Sequence, residues 1–296
     1  MTLAAPRNAQ LLRAMPAVFV VIWSTGFVVA RLGMPHAPPL GFLVVRYALS
    51  VLCFGVWIGL AGAAWPRGQR QWLHLSVTGM LMHAGYLGGV WAAVRSGLGA
   101  GTIALLVGLQ PVLTALWLTL SGEPDKRHAV RPVQWLGLLL GLAGLALVVW
   151  RKLGVGEITG ANLALGLFAL LSITVGTLYQ KRFVAPCDAR TAGAVQLLAA
   201  LLVSLPLALL EHGTIDWAHP AFIGAMAWSV LALTLGGSSL LYLLIQRGAA
   251  TQVTSLLYLV PPCTALMAWA VFGESLTATM MAGMVLTAIG VALVVR

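Results

Sequence analysis

The sequence predicts an all-α membrane protein with ten transmembrane helices, arranged as two five-helix repeats of inverted topology. Of its 296 residues, 60% are hydrophobic and only 8% are charged, whereas a soluble domain carries roughly a quarter charged residues. The apolar runs are continuous over about 20 residues, which is the length of a spanning helix. A β-barrel would show alternating segments of about 10 residues instead. One pattern of residues also occurs twice along the chain.

Ten spans follow from the apolar runs and from the proline and glycine residues between them. The first span contains the run Met15–Ala30, which lacks a small-residue cleavage site. We therefore interpret it as a transmembrane helix and not as a signal peptide. The connections are short, so no extramembrane domain fits between spans. The predicted spans are 13–33, 39–62, 71–95, 99–120, 132–150, 161–182, 190–211, 219–246, 250–272 and 277–295.

The duplicated pattern relates the fourth span to the ninth. The segment GLGAGTIALLVGLQPVLTALWLTLSGEP begins at Gly97 and returns as GAATQVTSLLYLVPPCTALMAWAVFGES, which begins at Gly248. At this offset Pro111 aligns with Pro262, and a Gly-Glu pair aligns with a second Gly-Glu pair. Duplication of this kind in a membrane chain is typical of proteins whose two related halves surround a central site.

The match continues into the fifth and tenth spans, where GLLLGLAGLALVV from Gly137 resembles GMVLTAIGVALVV from Gly283. We therefore divide the chain into two repeats, residues 1–152 and 153–296. Each repeat has an odd number of spans, so the second copy enters the membrane upside-down relative to the first. Weaker matches at an offset of 150 are Gly26 with Gly176, Arg31 with Lys181, and Arg46 with Gln196.

The distribution of Lys and Arg predicts that both termini are cytoplasmic. Twelve of these residues, including Arg67, Arg70 and Arg182, fall on the side of the N-terminus, and four fall on the other side. This excess is the positive-inside bias of inner-membrane proteins. The basic residues lie in short loops and form no single stripe. The net charge of +10 is therefore explained by topology, and no nucleic-acid partner is expected.

The acidic residues narrow the class of substrate, because all seven fall at span ends or in loops. Proton-coupled pumps and exporters of cations usually keep a carboxylate at membrane depth. A neutral, zwitterionic or anionic substrate is therefore favoured. The three cysteines fit no disulfide or metal spacing, and no catalytic cluster or phosphate-binding loop is present. Neither enzyme activity, nor a metal, nor a cofactor is expected. The acids are Glu123, Asp125, Glu157, Asp188, Glu211, Asp216 and Glu274.

Two ionisable side chains are predicted to lie within spans. Arg46 is a candidate for a bidentate grip on a substrate carboxylate; the alternative is a structural role, bonded to helix carbonyls or reaching outward. His83 is a candidate proton relay, and the alternative is a neutral histidine bonded to a neighbouring helix. Polar and aromatic side chains on other spans are candidates for the wall of a partly wet cavity. These are Trp23, Tyr86, Gln110, Tyr179, Gln246 and Tyr258.

Other tryptophans near span ends, among them Trp65 and Trp72, are explained by anchoring at the membrane interface. Pro111 and the pair Pro261 and Pro262 each remove a backbone donor within a span. Irregular backbone at that depth is tolerated where it is buried in protein or lines a cavity. Since the proline recurs in both halves, the three prolines are predicted to form a kink or hinge near a central site.

The fifth and tenth spans and the residues just before the tenth carry two further patterns. Glycines on both spans, among them Gly144 and Gly290, predict close helix packing, with an oligomer interface as the alternative. Glu274 precedes the tenth span, where Thr277 is a candidate cap and a negative charge suits the start of that helix. Ion coupling by Glu274 is the alternative to this capping role.

The repeated proline, Gly-Glu pair and glycine-rich helix resemble the drug/metabolite transporter superfamily, specifically its ten-helix exporters built from two EamA domains. The resemblance covers nearly the whole chain, and the duplicated set in register is its most specific feature. The matching stretches are WSTGFVVARLG (23–33), FLVVRYALSVL (42–52), PVLTALWLTLSGEP (111–124), PPCTALMAWAVFGESLT (261–277) and GMVLTAIGVALVV (283–295).

This resemblance implies a cavity between helices 1–4 and 6–9, with helices 5 and 10 set back, and transport by alternating access. It implies export of amino acids across the bacterial inner membrane, and the chain is similar to the aromatic amino acid exporters. The eight candidate residues are assigned to the cavity only because they lie on the helices that would form it. The alternatives are a transporter of another metabolite or drug and, less favoured, a membrane-embedded enzyme or lipid-handling protein. A monomer and a homodimer are both compatible with the sequence.

Overall fold

The computed structural model describes residues 6–120, 132–154, 156–237, 240 and 259–295. These residues form helices joined by short turns, and no strand occurs among them. Their order follows the predicted spans, so we number the helices by span. The helices are α1 Pro6–Gly33, α2 Pro39–Ala61, α3 Gln69–Arg95, α4 Ala100–Val107 with Gln110–Leu120, α5 Pro132–Gly154, α6 Gly160–Phe183, α7 Ala189–Leu209, α8 Pro220–Gly237, α9 Val260–Phe272 and α10 Ala278–Val295.

The helices have the length and surface of a polytopic membrane protein. Five of them, namely α2, α3, α6, α7 and α8, are long and apolar enough in their described parts to cross a membrane. Large apolar side chains point outward: Leu60 is 85% exposed and Leu209 is 78% exposed. Such surfaces are unfavourable in water but are well solvated by lipid tails. The hydropathy-based prediction of a membrane-spanning helical bundle is confirmed.

The fourth span, for which the sequence predicted the bounds 99–120 and a kink or hinge at Pro111, is interrupted. Its two helical segments are separated by a turn at Gly108 and Leu109. The Leu109 amide donates to the Leu106 carbonyl at 3.2 Å, three residues back, which tightens the turn. Pro111 follows directly and has no N–H to continue the helical ladder. The parts of the eighth and ninth spans within 241–258 lie outside the described residues.

In the described part of the chain, two helices contain a π-helical stretch, which hydropathy did not predict. These stretches are Met80–Gly85 in α3 and Ser229–Gly237 in α8. The first, shifted by 150 positions, falls within the second. A π-helical turn closes hydrogen bonds over five residues instead of four, which displaces nearby side chains, and it is frequent at functional sites.

Helices α5 and α10 pack along each other and reach the rest of the bundle mainly through α4. Their backbones touch: a β-carbon added at Gly290 would lie 2.5 Å from the carbonyl oxygen of Gly137. One added at Gly144 would lie 2.5 Å from the carbonyl oxygen of Gly283. Only glycine permits this approach, so the predicted close packing of these two helices is present.

The remaining helices pack mainly against helices from the other half of the chain. Helix α2 packs on α7, α3 on α6 and α7, α1 on α8 and α9, and the first segment of α4 on α9. A β-carbon at Gly26 in α1 would lie 3.7 Å from Leu233 in the π-helical stretch of α8. One at Gly176 in α6 would lie 2.7 Å from Met82 in the π-helical stretch of α3. The two glycines that match at an offset of 150 therefore make corresponding contacts.

The helix ends form two opposite sides of the bundle. On the first, which we call the Glu274 side, Glu274 forms an ion pair with Arg31 and accepts a hydrogen bond from the Ala100 amide at 3.0 Å. Glu211 on the same side accepts from the amides of Leu40 and Gly41 at 2.9 and 3.1 Å. Each carboxylate thus caps a helix of the first half, α4 or α2.

On the opposite side, which we call the Arg70 side, α3 begins and α6 ends. Asp188 caps α7 by accepting from the Arg190 amide at 2.9 Å. Gln71 binds the backbone of Ala185 in the α6–α7 loop through both atoms of its amide. The positive-inside count predicts that the Arg70 side is cytoplasmic.

Glu274 lies differently from the prediction. Its carboxylate caps α4 and not α10, whereas Thr277 does cap α10 by accepting from the Met280 amide at 3.2 Å. The loop before α10 is long enough to turn the Glu274 side chain back towards α1 and α4. There the Arg31 cation and the free amide at the start of α4 stabilise the carboxylate more than the dipole of α10 alone would.

Candidate functional site

Arg46 of α2 lies inside the bundle with only 7% of its surface exposed. Its Nε and Nη2 atoms lie 3.3 and 3.2 Å from Oγ1 of Thr234, which belongs to the π-helical stretch of α8. The Thr234 hydroxyl in turn donates to the Ser229 carbonyl at 2.8 Å. Among the described residues no carboxylate contacts Arg46. One edge of the guanidinium is therefore fixed by a neutral hydroxyl, and its charge is not neutralised by these residues.

Tyr47 and His83 connect α2 to the other π-helical stretch. The Tyr47 hydroxyl donates to the backbone carbonyl of His83 at 2.8 Å, and the two rings meet edge-on at 6.3 Å. The His83 side chain is hydrogen-bonded to Gln196 of α7. This is the arrangement expected for the alternative in which His83 is bonded to a neighbouring helix, although a proton relay also needs such a partner.

Tyr86, one turn beyond His83, is buried with 7% of its surface exposed. It lies within the electrostatic reach of Arg46, as do Tyr47 and His83. Side chains from α2, α3, α7 and α8 are thus linked to Arg46 directly or through His83. We refer to them as the Arg46 cluster, which consists of Arg46, Tyr47, His83, Tyr86, Gln196 and Thr234.

Three members of the Arg46 cluster were not predicted as site residues. Gln196 matches Arg46 at the offset of 150, so the internal repeat contained a signal for it. Tyr47 directly follows Arg46. Consecutive side chains of a helix point in different directions, so the sequence gave no reason to place both at one site. Thr234 carried no signal, because its position depends on a π-helical stretch that hydropathy does not reveal.

Trp23 of α1 lies near the end of the same α8 stretch. Its ring is 5.3 Å from Phe19, and a β-carbon at Gly237 would lie 3.8 Å from it. The next residue, Ser24, accepts a hydrogen bond through its carbonyl from Thr264 of α9 at 3.2 Å. Trp23 therefore lies against the end of the α8 stretch, and the neighbouring Ser24 joins α1 to α9, the helix that contains Pro261 and Pro262.

Gln110 and the prolines lie where α4 meets α6 and α9. The Gln110 amide donates to the Thr177 hydroxyl at 2.9 Å. A β-carbon at Gly108, in the break of α4, would lie 2.9 Å from Cγ of Pro261. The interruption before Pro111 therefore contacts the first turn of α9, which contains Pro261 and Pro262.

Tyr179 lies apart from the Arg46 cluster. Its hydroxyl is 2.8 Å from Nδ1 of His74, and its ring packs 4.7 Å from that of Phe183. This places Tyr179 on the Arg70 side of the bundle. Gln246 and Tyr258 lie outside the described residues.

The arrangement offers several groups that can bind a small molecule. A guanidinium, two phenol hydroxyls, an imidazole and an amide converge, and they can pair with a carboxylate and with hydrogen-bonding groups of a small molecule. Within the described ranges, no group of three or more His, Cys, Asp or Glu residues could hold a metal. The acids of those ranges lie at helix ends.

Comparisons with known proteins agree with this architecture. Residues 14–150 and again 161–296 match the EamA-like transporter family. An uncharacterized inner membrane transporter of Escherichia coli, YedA, is 28% identical over 92% of this chain and 87% of its own length. The uncharacterized transporter YvbV of Bacillus subtilis is 26% identical over 97% of this chain and 91% of its own.

Two further similarities concern substrate class and fold. A probable amino-acid metabolite efflux pump of Salmonella typhimurium is 26% identical over 92% of this chain and 90% of its own length. A protein of known crystal structure superposes with a TM-score of 0.67, at 17% identity, over 97% of this chain and 96% of the other. The family match extends over both halves of the sequence. The chain therefore belongs to the EamA-like transporter family of the drug/metabolite transporter superfamily.

Proposed function

We propose that this transporter exports amino acids, aromatic ones among them, across the bacterial inner membrane. The observation that carries the proposal is the buried Arg46 guanidinium, whose partner among the described residues is the neutral Thr234 hydroxyl. A buried, unneutralised cation is costly, and a substrate carboxylate would offset that cost. The Nη1 atom has no acceptor among the described residues, so a carboxylate can bind there.

The relatives support the same substrate class only in part. One protein that is 26% identical is named a probable amino-acid metabolite efflux pump, and others are named as transporters without a substrate. The absence of a carboxylate from the membrane depth of the described residues disfavours the rival proposal of a cation exporter. Other anionic or zwitterionic metabolites form the second rival class.

We further propose that residues 1–152 and 153–296 are inverted repeats that rock against each other. The two family matches, at 14–150 and 161–296, support this division. So do the two π-helical stretches and the corresponding contacts of Gly26 and Gly176. An odd number of helices in each half inverts the second copy, with both termini in the cytoplasm.

In this mechanism the Arg46 cluster is the centre of the substrate site, and the rest of the wall lies on neighbouring helices. Pro111, Pro261 and Pro262 act as the hinge, because the break in α4 contacts the proline turn of α9. The residues proposed to bind substrate are Trp23, Arg46, His83, Tyr86, Gln110, Tyr179, Gln246 and Tyr258.

The proposal is tested by counterflow in proteoliposomes with a panel of labelled amino acids, nucleosides and cationic drugs, with and without a proton gradient. Wild-type protein is expected to exchange amino acids, and Arg46→Ala to exchange them at least about tenfold more slowly, which is the effect of losing about 1.4 kcal/mol of binding. Arg46→Lys keeps the charge but loses the bidentate geometry, and it should fall between the two.

Thermal unfolding in detergent serves as the control for folding. An Arg46→Ala protein that folds and exchanges carboxylate-bearing substrates at the wild-type rate would exclude the carboxylate grip. Exchange of cationic drugs in preference to amino acids would show that the substrates are cations and would overturn the proposal.

A further inference from the structure

A basic cavity opens on the Arg70 side of the bundle, between the start of α3 and the end of α6. Its volume is about 540 Å³. It shares no residue with the Arg46 cluster and lies at the opposite end of α3 from Arg95. Its lining includes Arg67, Arg70, Gln71, His74, Arg182 and Phe183.

Guanidinium groups give this cavity its charge. Arg67 and Arg70 are exposed, and neither forms an ion pair with another described residue. The nearest acid along the adjoining loop, Asp188, binds Arg190 instead, at 2.7 and 3.0 Å. Arg67 and Arg70 therefore give the cavity a positive potential that the described part of the chain does not neutralise.

The wall of the cavity is held in place by hydrogen bonds. The Gln71 amide donates to the Ala185 carbonyl at 2.7 Å and accepts from the Ala185 amide at 3.1 Å. His74 lies 2.8 Å from the Tyr179 hydroxyl and stacks on Phe183 at 5.3 Å. These contacts fix α3 to the α6–α7 loop, so a ligand would enter a site that is already formed.

Two tryptophans beside the cavity indicate that it faces the level of the lipid headgroups. Trp65 and Trp72, on either side of Arg67 and Arg70 in sequence, are exposed and stack at 5.7 Å. The Trp72 indole donates to the Pro66 carbonyl at 3.0 Å. Tryptophans with one apolar face and one bonded N–H prefer the membrane–water interface. Phe183, 44% exposed, adds an apolar edge beside the cationic groups.

We propose that this cavity binds the phosphate group of an anionic phospholipid. Arginine forks match the oxygens of a phosphate, and basic pockets between transmembrane helices on the cytoplasmic side suit anionic headgroups. A soluble phosphate compound offers the same chemistry. The tryptophans and the exposed Phe183 ring favour the lipid, because its glycerol and acyl portions have an apolar surface to contact.

The test measures lipid retention on the purified full-length protein by native mass spectrometry, with phosphatidylglycerol, phosphatidylcholine or inorganic phosphate added. Phosphatidylglycerol is expected to be retained in preference to phosphatidylcholine. Arg67→Ala/Arg70→Ala should weaken its binding by at least about thirtyfold, since each guanidinium that contacts the phosphate directly contributes at least about 1 kcal/mol, or about fivefold in affinity. Arg70→Ala alone should weaken it by about fivefold, and thermal unfolding confirms that each variant is folded.

Lys181→Ala is the matched control, because Lys181 is exposed on the same side but does not line the cavity. It should leave phosphatidylglycerol retention within about twofold of wild type. An equal loss in Lys181→Ala and Arg70→Ala would show diffuse attraction to the surface and overturn the site. Equal protection from thermal unfolding by inorganic phosphate and by phosphatidylglycerol would overturn the lipid assignment.

Discussion

The carboxylate of Glu274, in the loop before α10, forms an ion pair with Arg31 at the end of α1. The same carboxylate oxygen accepts a hydrogen bond from the Ala100 amide at the start of α4, and the Arg31 guanidinium lies 4.9 Å from the Phe272 ring of α9. The Glu274–Arg31 pair thus links α1, α4 and α9 on a single side of the bundle.

Glu274→Gln is expected to lower the stability of this conformation by about 1–2 kcal/mol, because Arg31 loses its partly buried counter-charge and the α4 amide a charged acceptor. Thermal unfolding in detergent measures the change. Asp216→Asn is the control, since Asp216 is exposed on the same side and its carboxylate has no contact among the described residues. Equal melting temperatures for wild type and Glu274→Gln would contradict the prediction.

Thr234→Val is expected to weaken apparent substrate affinity by about tenfold while the protein still folds. Valine keeps the shape of threonine but removes the oxygen that holds the Nε–Nη2 edge of Arg46, and a hydrogen bond to a charged group is worth about 1.5–3 kcal/mol. The concentration dependence of counterflow gives the affinity. Thr234→Ser restores the oxygen and should recover most of it; no recovery would argue against the hydroxyl as the cause.

Gly290→Ala is expected to destabilise the protein by about 1–3 kcal/mol, because its β-carbon would lie 2.5 Å from the Gly141 amide nitrogen and force α5 and α10 apart. Gly55→Ala is the matched control, since a β-carbon there meets no atom within 4 Å. That control should leave stability unchanged or raise it slightly. Thermal unfolding of both variants decides the matter, and a Gly290→Ala protein as stable as Gly55→Ala would refute tight α5–α10 packing.

Cys187, in the loop between α6 and α7, reports the orientation of the chain. A membrane-impermeant maleimide should label it in inside-out vesicles and not in intact cells, because the Arg70 side is predicted to be cytoplasmic. Burial raises the pKa of the Cys187 thiol, so labelling should be slow at neutral pH and accelerate as the pH rises and the thiolate forms. Cys187→Ser supplies the background from Cys53 and Cys263, and labelling in intact cells would reverse the topology.

Hydropathy located the helices well because lipid imposes the same length and apolarity on every span. The glycine faces of α5 and α10 also indicated close helix contact, since small residues repeated along one face of a helix let a second backbone come near. The burial of Arg46 followed from its place within an apolar run. These features depend on local sequence, which is why one chain without its homologues sufficed.

The partners of those residues could not be predicted in the same way. Thr234 contacts Arg46 because a π-helical stretch turns α8, and the wider turn leaves no mark in the apolar pattern. Glu274 reaches α4 because the loop before α10 folds back across the bundle. Tyr179 contacts His74 because α3 begins and α6 ends on the Arg70 side, at the same height. Each contact depends on the relative height and rotation of two distant helices.

The capping of α2 by Glu211 and of α4 by Glu274 has a consequence for biosynthesis. Both helices belong to the part of the chain that is translated and inserted first, yet both carboxylates come from the part that follows. The amides of Leu40, Gly41 and Ala100 therefore cannot reach their final hydrogen bonds until the ribosome has added Glu211 and then Glu274. Helices α2 and α4 are therefore inserted before their caps exist, and their final packing forms only after the loop between α9 and α10 has been synthesised.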